Sequence, residues 1–192
     1  DQINIFMEND AEFKLSQKSS ITINSGGGKD LIKMDTGFLI SPKINSENGA
    51  DTVNLAGVNS SRVIAGKGRD TIFLGRDEPD DLTGLTAVGN VKDVITGGSS
   101  SDRFIFNDEF AYSANGNKDF CVITDYQSND KIILFENADS RINGKDGTVN
   151  LSATGAYQAQ SIDYTARLYA GGDLIAYIAG EQPTINNITQ YP

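Results

Sequence analysis

The sequence predicts an all-β protein in which short parallel strands stack as a solenoid, and three observations support this. A glycine-rich turn that ends in an aspartate recurs five times between residues 25 and 106. Successive aspartates are separated by 21, 19, 23 and 9 residues, which fits a nine-residue unit used singly or in pairs with short insertions. Apolar residues alternate after each aspartate, as they do in strands with one buried face.

The units share a six-residue turn followed by a short apolar strand. They are Ser25-Gly-Gly-Gly-Lys-Asp30, Ser46-Glu-Asn-Gly-Ala-Asp51, Ala65-Gly-Lys-Gly-Arg-Asp70, Val88-Gly-Asn-Val-Lys-Asp93 and Gly97-Gly-Ser-Ser-Ser-Asp102. Each matches, with losses, the pattern G-G-x-G-x-D-x-U-x, in which U is a large apolar residue. Units without the aspartate lie between them, for example Ser61-Arg-Val-Ile-Ala. One coil is therefore expected to contain two strands and two turns.

The residues two and four places after each aspartate point to the same face of a strand. We expect them to form an apolar column inside the coil: Ile32, Met34, Val53, Leu55, Ile72, Leu74, Ile95, Phe104 and Phe106. The alternative is an antiparallel sandwich with short strands and glycine-aspartate turns. The nine-residue registry between Asp93 and Asp102 argues against that alternative.

The repeat stops after Phe106 and divides the chain into two predicted parts. Residues 1–107 are expected to form the repeat stack, and residues 108–192 a β-rich region that packs on it and caps its open end. The second part contains strand-like runs separated by turns and lacks helical periodicity. A cap is expected because an open stack would expose strand edges that invite aggregation.

The composition favours calcium as the cofactor and argues against several classes of function. The chain has a net charge of -10, no histidine and one cysteine. A negative surface repels nucleic acid, and the absence of histidine removes the usual general base, so we expect no nucleic acid partner, no catalytic residues and no enzyme. No apolar run is long enough to span a membrane. Acidic oxygen ligands suit hard cations, calcium above all.

The metal site is predicted at the repeated turns. Glycines let backbone carbonyls face one point, and the aspartates add carboxylates there. The candidate ligand residues are Asp30, Asp51, Asp70, Asp93, Asp102, Gly26, Gly28, Gly49, Gly66, Gly68, Gly97 and Gly98. Asp30, Asp51 and Asp70 are expected on one side, continued by Asp93, with Asp102 on the opposite side. Alternatively, each aspartate caps its own turn and binds no metal.

These turns resemble the RTX, or haemolysin-type, calcium-binding repeat. The segments Asp119-Phe-Cys-Val-Ile-Thr-Asp125-Tyr and Asn129-Asp-Lys-Ile-Ile-Leu134 are similar to the segment that follows the repeats in serralysin-type C-terminal regions. The resemblance implies a right-handed parallel β-roll that folds when calcium binds. It also implies export by a type I secretion apparatus that needs an unfolded chain.

The predicted function is that of a non-catalytic calcium-binding module, secreted or at the cell surface, in a larger bacterial protein with an upstream domain. The chain begins with Asp1 and shows no signal-peptide pattern, so it is expected to be a fragment. The alternative is an adhesion module that binds surface polysaccharide. Regular rows of exposed threonine or aromatic side chains would favour the alternative.

Overall fold

The computed structural model describes residues 2–7, 21–36, 42–55, 61–74, 93–106, 120–135, 149–153, 158–159, 162–170 and 173–191. Two large sheets contain nearly all of the strands in these ranges. The turn before Asp93 lies outside the described residues, as do the side chains of Met34 and of the first strand.

One sheet, here called the parallel sheet, has seven strands in the order β1-β3-β5-β7-β9-β11-β17. Every neighbouring pair in it is parallel. Its strands are β1 (Gln2–Met7), β3 (Leu31–Thr36), β5 (Thr52–Asn54), β7 (Thr71–Leu74), β9 (Arg103–Phe106), β11 (Lys131–Phe135) and β17 (Ile188–Tyr191).

The other sheet, here called the mixed sheet, has eight strands in the order β12-β15-β16-β10-β8-β6-β4-β2. Its strands are β2 (Thr22–Asn24), β4 (Lys43–Asn45), β6 (Arg62–Lys67), β8 (Val94–Ser99), β10 (Cys121–Tyr126), β12 (Val149–Ala153), β15 (Ala166–Ala170) and β16 (Asp173–Gly180). A small hairpin pairs β13 (Gln158–Ala159) with β14 (Ile162–Asp163), and a short 3-10 helix (Ile185–Asn187) precedes β17.

The chain passes repeatedly from the mixed sheet to the parallel sheet, so each strand of the repeat region pairs with the strand two places along in sequence. The inner faces of both sheets form one core, which contains the predicted apolar column: Ile32, Val53, Leu55, Ile72, Leu74, Ile95, Phe104 and Phe106 are all buried. The prediction for this column is therefore confirmed wherever its side chains are described. Burying aliphatic and aromatic side chains of this size stabilises a fold by about 1.5–3 kcal/mol each.

The predicted fold class is wrong. The repeat predicts a parallel solenoid with a C-terminal cap, and the resemblance to RTX repeats implies a right-handed parallel β-roll, whereas the structure has two stacked sheets, one of them mixed, and not a closed solenoid. The strands β10, β11, β16 and β17 continue the two sheets, and β12, β15 and β16 pair in antiparallel fashion.

The reason for the mixed sheet lies in the connection between β15 and β16, where Ala170 pairs with Asp173. Only Gly171 and Gly172 separate these two residues, and a two-residue link can join only antiparallel strands. The nine-residue pattern does not extend to this part of the chain, so it could not predict the reversal.

Candidate metal site: a row of buried aspartates

The structure aligns five tight turns along one edge of the two stacked sheets. We number them turn 1 (25–30), turn 2 (46–51), turn 3 (65–70), turn 4 (97–102) and turn 5 (125–130). Each leaves the mixed sheet and ends in an aspartate directly before a strand of the parallel sheet. Because the strands pair in register, Asp30, Asp51, Asp70, Asp102 and Asp130 form one row, here called the aspartate row.

The side chains of the aspartate row are buried, with at most 2% of their surface exposed. From the second member onward, each carboxylate reaches toward the preceding turn, where one oxygen accepts a backbone hydrogen bond. Asp51 Oδ1 accepts from the Asp30 N–H, and Asp70 Oδ1 accepts from the Asp51 N–H. The same bond joins Asp102 to Asp70 and Asp130 to Asp102, and all four distances are 2.9 Å.

The second carboxylate oxygen is the unusual feature of the row. In the described part of the chain, the Oδ2 atoms of Asp51, Asp70 and Asp102 are buried and accept no hydrogen bond. A buried polar atom without a partner costs free energy, about 1–3 kcal/mol and more when it is charged. These three oxygens are therefore the atoms of the row to which a cation would contribute most.

The electrostatics of the row reflect this burial. Burial raises the pKa of Asp51 and Asp70 above the usual range, and repulsion from the neighbouring aspartate adds to the effect. Burial likewise raises the pKa of Asp130. The pKa of Asp102 rises to about 7, mainly because burial disfavours its charge and secondarily because Asp130, Asp70 and Asp125 repel it. In Asp51, Asp70, Asp102 and Asp130 the negative charge is therefore held at a cost in free energy.

The glycines of the turns let successive turns approach closely. Gly66, Gly68 and Gly98 have φ angles of 103°, 130° and 98°, which L side chains rarely adopt. A Cβ atom on any of them would overlap a carbonyl oxygen of the preceding turn, that of Glu47, Gly49 or Gly66 respectively. Backbone carbonyls therefore lie against the next turn at the same edge as the aspartate row.

The other predicted glycines lie in the same turns. A Cβ on Gly49 would overlap the Gly28 carbonyl oxygen, and one on Gly97 would lie 2.8 Å from Asp102 Oδ2. Asp102 Oδ2 thus lies close to the first residue of its own turn. Gly26 and Gly28 have positive φ angles in turn 1, and no atom of the described residues lies within 4 Å of their Cβ positions.

Asp93 and Asp102 each lie on the side of the structure opposite to the one predicted from their spacing. Asp102 belongs to the aspartate row, although it was expected on the opposite side. Asp93 lies at the opposite edge, directly before β8 of the mixed sheet, where its Oδ1 accepts the N–H of Ser61 at 2.7 Å and the Oγ–H of Ser61 at 2.6 Å. The interval from Asp70 to Asp102 contains a long insertion, so counting nine-residue units along it assigns the wrong sides.

Asp130 is a member of the row that the sequence-based set of candidate ligands does not include. Its signal in the sequence is Asp130-Lys-Ile-Ile-Leu, the same aspartate-plus-alternation pattern that follows the other turns. The residues before it, Asp125-Tyr-Gln-Ser-Asn, contain no glycine. Because the glycines define the repeat pattern, their absence hides turn 5 from a search based on that pattern.

The arrangement supplies oxygen ligands from several turns and no nitrogen or sulfur ligand. Among the described residues, no group of three or more His, Cys, Asp or Glu side chains is close enough to hold a metal ion by itself. An ion at the row would therefore need backbone carbonyls in addition to carboxylates. Mixed carboxylate and carbonyl coordination is the chemistry of calcium.

The outer face of the parallel sheet bears on the adhesion alternative. One row across adjacent strands contains Leu31, Thr52, Thr71, Arg103 and Lys131. Only two of these five positions are threonine, and Thr52 and Thr71 are half-buried. This row lacks the regular threonine or aromatic repeat that would favour the adhesion hypothesis, so it gives that hypothesis no support.

No protein-family model matches the chain, and a search of curated proteins gives no match either. The part of the chain that the structure describes contains no helix with the length and apolar character needed to cross a membrane.

Proposed function

We propose that this chain is a calcium-binding module of a larger secreted bacterial protein, in which calcium ions bridge successive turns of the aspartate row. One observation supports this above all: the buried Oδ2 atoms of Asp51, Asp70 and Asp102 have no hydrogen-bond partner among the described residues. A cation between turns would satisfy these oxygens and cancel the repulsion between neighbouring carboxylates.

The spacing of the turns suits calcium. Neighbouring strands lie about 4.8 Å apart, and calcium binds oxygen at about 2.3–2.6 Å. An ion midway between two turns would reach an oxygen on each. Magnesium needs near-ideal octahedral geometry at about 2.0–2.1 Å and keeps several waters, so it fits a flat gap between backbone turns poorly.

Three gaps in the row have the required chemistry: those between turns 1 and 2, turns 2 and 3, and turns 3 and 4. The ligands in each gap would be the carboxylates of two successive aspartates and the carbonyls of the glycine-rich turns. Asp30, Asp51, Asp70 and Asp102 would supply the carboxylates. Asp93 lies at the other edge and would supply none.

Calcium binding at these gaps would make folding of the module depend on whether it is inside or outside the cell. If an external medium supplies about one hundred times the dissociation constant, each site adds about 2.7 kcal/mol to the free energy of unfolding. Inside a cell the ion is scarce and the carboxylates repel one another. The module would then stay loose during export by a type I secretion apparatus and fold outside together with its upstream domain.

The test is a thermal melt followed by far-UV circular dichroism, with calcium added to metal-free protein and magnesium as the ion control. At saturating calcium we expect the melting temperature to rise by about 5–10 °C for each occupied site. The variant Asp51→Asn/Asp70→Asn keeps the Oδ1 acceptors, removes two charges and should abolish most of the response.

Asp93→Asn is the matched control, because it changes a buried aspartate that also precedes a strand but lies outside the row. It should respond to calcium like the unaltered protein. A protein whose melting temperature is the same in calcium and in chelator would refute the proposal. So would equal loss of the response in both variants.

A further inference from the structure

The last turn of the row is attached to its neighbour differently from the others. Both carboxylate oxygens of Asp125 accept backbone hydrogen bonds from turn 4: Oδ1 from the Gly97 N–H at 2.9 Å and Oδ2 from the Gly98 N–H at 2.7 Å. Gln127 Nε2 donates to the Gly98 carbonyl at 2.5 Å. Asn129 Nδ2 donates to the Ser100 carbonyl at 2.9 Å. Side chains of turn 5 thus bind both backbone donors and backbone acceptors of turn 4.

The aspartate of turn 5 is also satisfied by protein atoms alone. Asp130 Oδ1 accepts from the Asp102 N–H, as elsewhere in the row, and Oδ2 accepts from the Gln127 N–H at 2.8 Å. The Tyr126 hydroxyl donates to the Asp130 carbonyl at 3.2 Å. Asp130 therefore differs from Asp51, Asp70 and Asp102, whose Oδ2 atoms have no such donor in the described residues.

The residues after β16, which lead into the short 3-10 helix, are attached to turn 5 in the same manner. Glu181 Oε2 accepts from the Ser128 N–H at 2.9 Å, and Asn187 Nδ2 donates to the Ser128 carbonyl at 3.0 Å. The Glu181 N–H donates to the Tyr126 carbonyl at 2.7 Å. At the C-terminal end of the row, carboxylate and amide groups of the protein therefore join turn 4 to turn 5, and turn 5 to the residues after β16.

We infer that Asp125 is a positioning residue that closes the gap between turns 4 and 5 without a metal ion, so that calcium binding ends at turn 4. Its carboxylate, a charged acceptor held by two N–H groups, supplies the negative charge that fixes turn 4 against turn 5. The side-chain amides of Gln127 and Asn129 donate hydrogen bonds to two carbonyl oxygens of turn 4 that would otherwise face the gap. The endpoint of calcium binding at turn 4 rests on the proposed function, whereas the metal-free closure does not.

The closure is tested by hydrogen–deuterium exchange of the full chain in chelator. In the unaltered protein we expect the amides of Gly97 and Gly98 to be protected without calcium. Asp125→Asn keeps one acceptor oxygen but places an NH₂ group against a backbone donor. It should speed exchange in peptides covering residues 95–102 at least tenfold.

Asp163→Asn is the control for the lost charge, since Asp163 is exposed and lies in β14, outside the five turns. Its exchange should equal that of the unaltered protein. Gln127→Ala provides a second variant that leaves the carboxylate intact, and we expect a smaller increase of about threefold. Unchanged exchange at Gly97 and Gly98 in both turn 5 variants would overturn the closure.

Counting bound calcium by native mass spectrometry separates this inference from the proposed function. Asp125→Asn should bind as many calcium ions as the unaltered protein. Loss of one ion would make Asp125 a calcium ligand and overturn the inference. If the unaltered protein binds no calcium, the proposed function and the endpoint at turn 4 both fail, while the exchange experiment in chelator still decides the metal-free closure.

Discussion

The two edges of the stacked sheets use the same residue in opposite ways. At one edge, aspartates precede five consecutive strands of the parallel sheet, and three of them keep a buried oxygen with no hydrogen-bond donor among the described residues. At the other edge, Asp93 precedes β8 and receives two hydrogen bonds from Ser61. A buried aspartate before a strand is therefore not by itself a sign of metal binding; the aspartate row is distinguished by Oδ2 atoms that are buried without a hydrogen-bond donor among the described residues.

The largest effect should come from breaking the close contact of the turns along the aspartate row. Gly68→Ala places a Cβ atom on the Gly49 carbonyl at a φ angle of 130°, so a backbone shift of turn 3 is unavoidable. We expect a loss of more than about 4 kcal/mol in the free energy of unfolding, measured by urea denaturation in calcium.

Gly27→Ala is the matched control for this substitution. Gly27 does not have a positive φ angle. A Cβ atom on it would lie 3.7 Å from the Asn48 carbonyl oxygen, which is an ordinary van der Waals contact. The cost should stay below about 1 kcal/mol. Similar losses for the two variants would contradict the close stacking described for turns 2 and 3.

The next effect concerns pH and the aspartate row. Because the folded-state pKa of Asp102 is raised to about 7, the folded protein binds more protons than the unfolded chain between about pH 4 and pH 7. The free energy of unfolding of the metal-free protein should therefore fall as the pH rises through this window. We expect Asp102 alone to account for at most about 4 kcal/mol of this fall, because a tenfold change in proton affinity corresponds to about 1.4 kcal/mol.

Chemical denaturation of metal-free protein at pH 5 and pH 7.5 measures this effect. Asp102→Asn still accepts the Asp70 N–H through its side-chain oxygen and should flatten the dependence. Calcium should reverse the trend, because protons and calcium compete for the same carboxylates. Metal-free stability that rises between pH 5 and pH 7.5 would show that these carboxylates are solvated.

The smallest effect should come from the opposite edge. Ser61→Ala removes one of the two hydrogen bonds to Asp93 but leaves the backbone N–H in place. We expect a loss of about 1–3 kcal/mol in the free energy of unfolding and no change in calcium affinity, measured by calorimetric titration. Weaker calcium binding in this variant would show that the two edges are coupled rather than independent.

The sequence predicted those parts of the structure that depend on local pattern. The alternation after each aspartate identified the inner faces of the strands, because burial imposes a period of two whatever the sheet topology. The glycines at residues 66, 68 and 98 could be predicted as turn residues because they allow positive φ angles, whereas the close contact of successive turns is a finding of the structure.

What could not be predicted depends on distant contacts and insertions. Residue counting placed Asp102 and Asp93 on the wrong edges, since nothing in the spacing shows how much of the 32-residue interval from Asp70 to Asp102 belongs to an insertion. Turn 5 was left out of the set of candidate ligands because residues 125–130 contain no glycine. The antiparallel part of the mixed sheet lies outside the repeat, although the sequence indicates its turn at Gly171-Gly172.

The most direct measurement is the number of calcium ions bound to the full chain, counted by native mass spectrometry across a calcium titration. The expected result is three ions, one for each gap between turns 1 and 4, with Asp51→Asn/Asp70→Asn losing them. A fourth ion would mean that the gap before turn 5 is open to metal. No bound calcium at millimolar concentration would contradict the central claim that the aspartate row is a metal site.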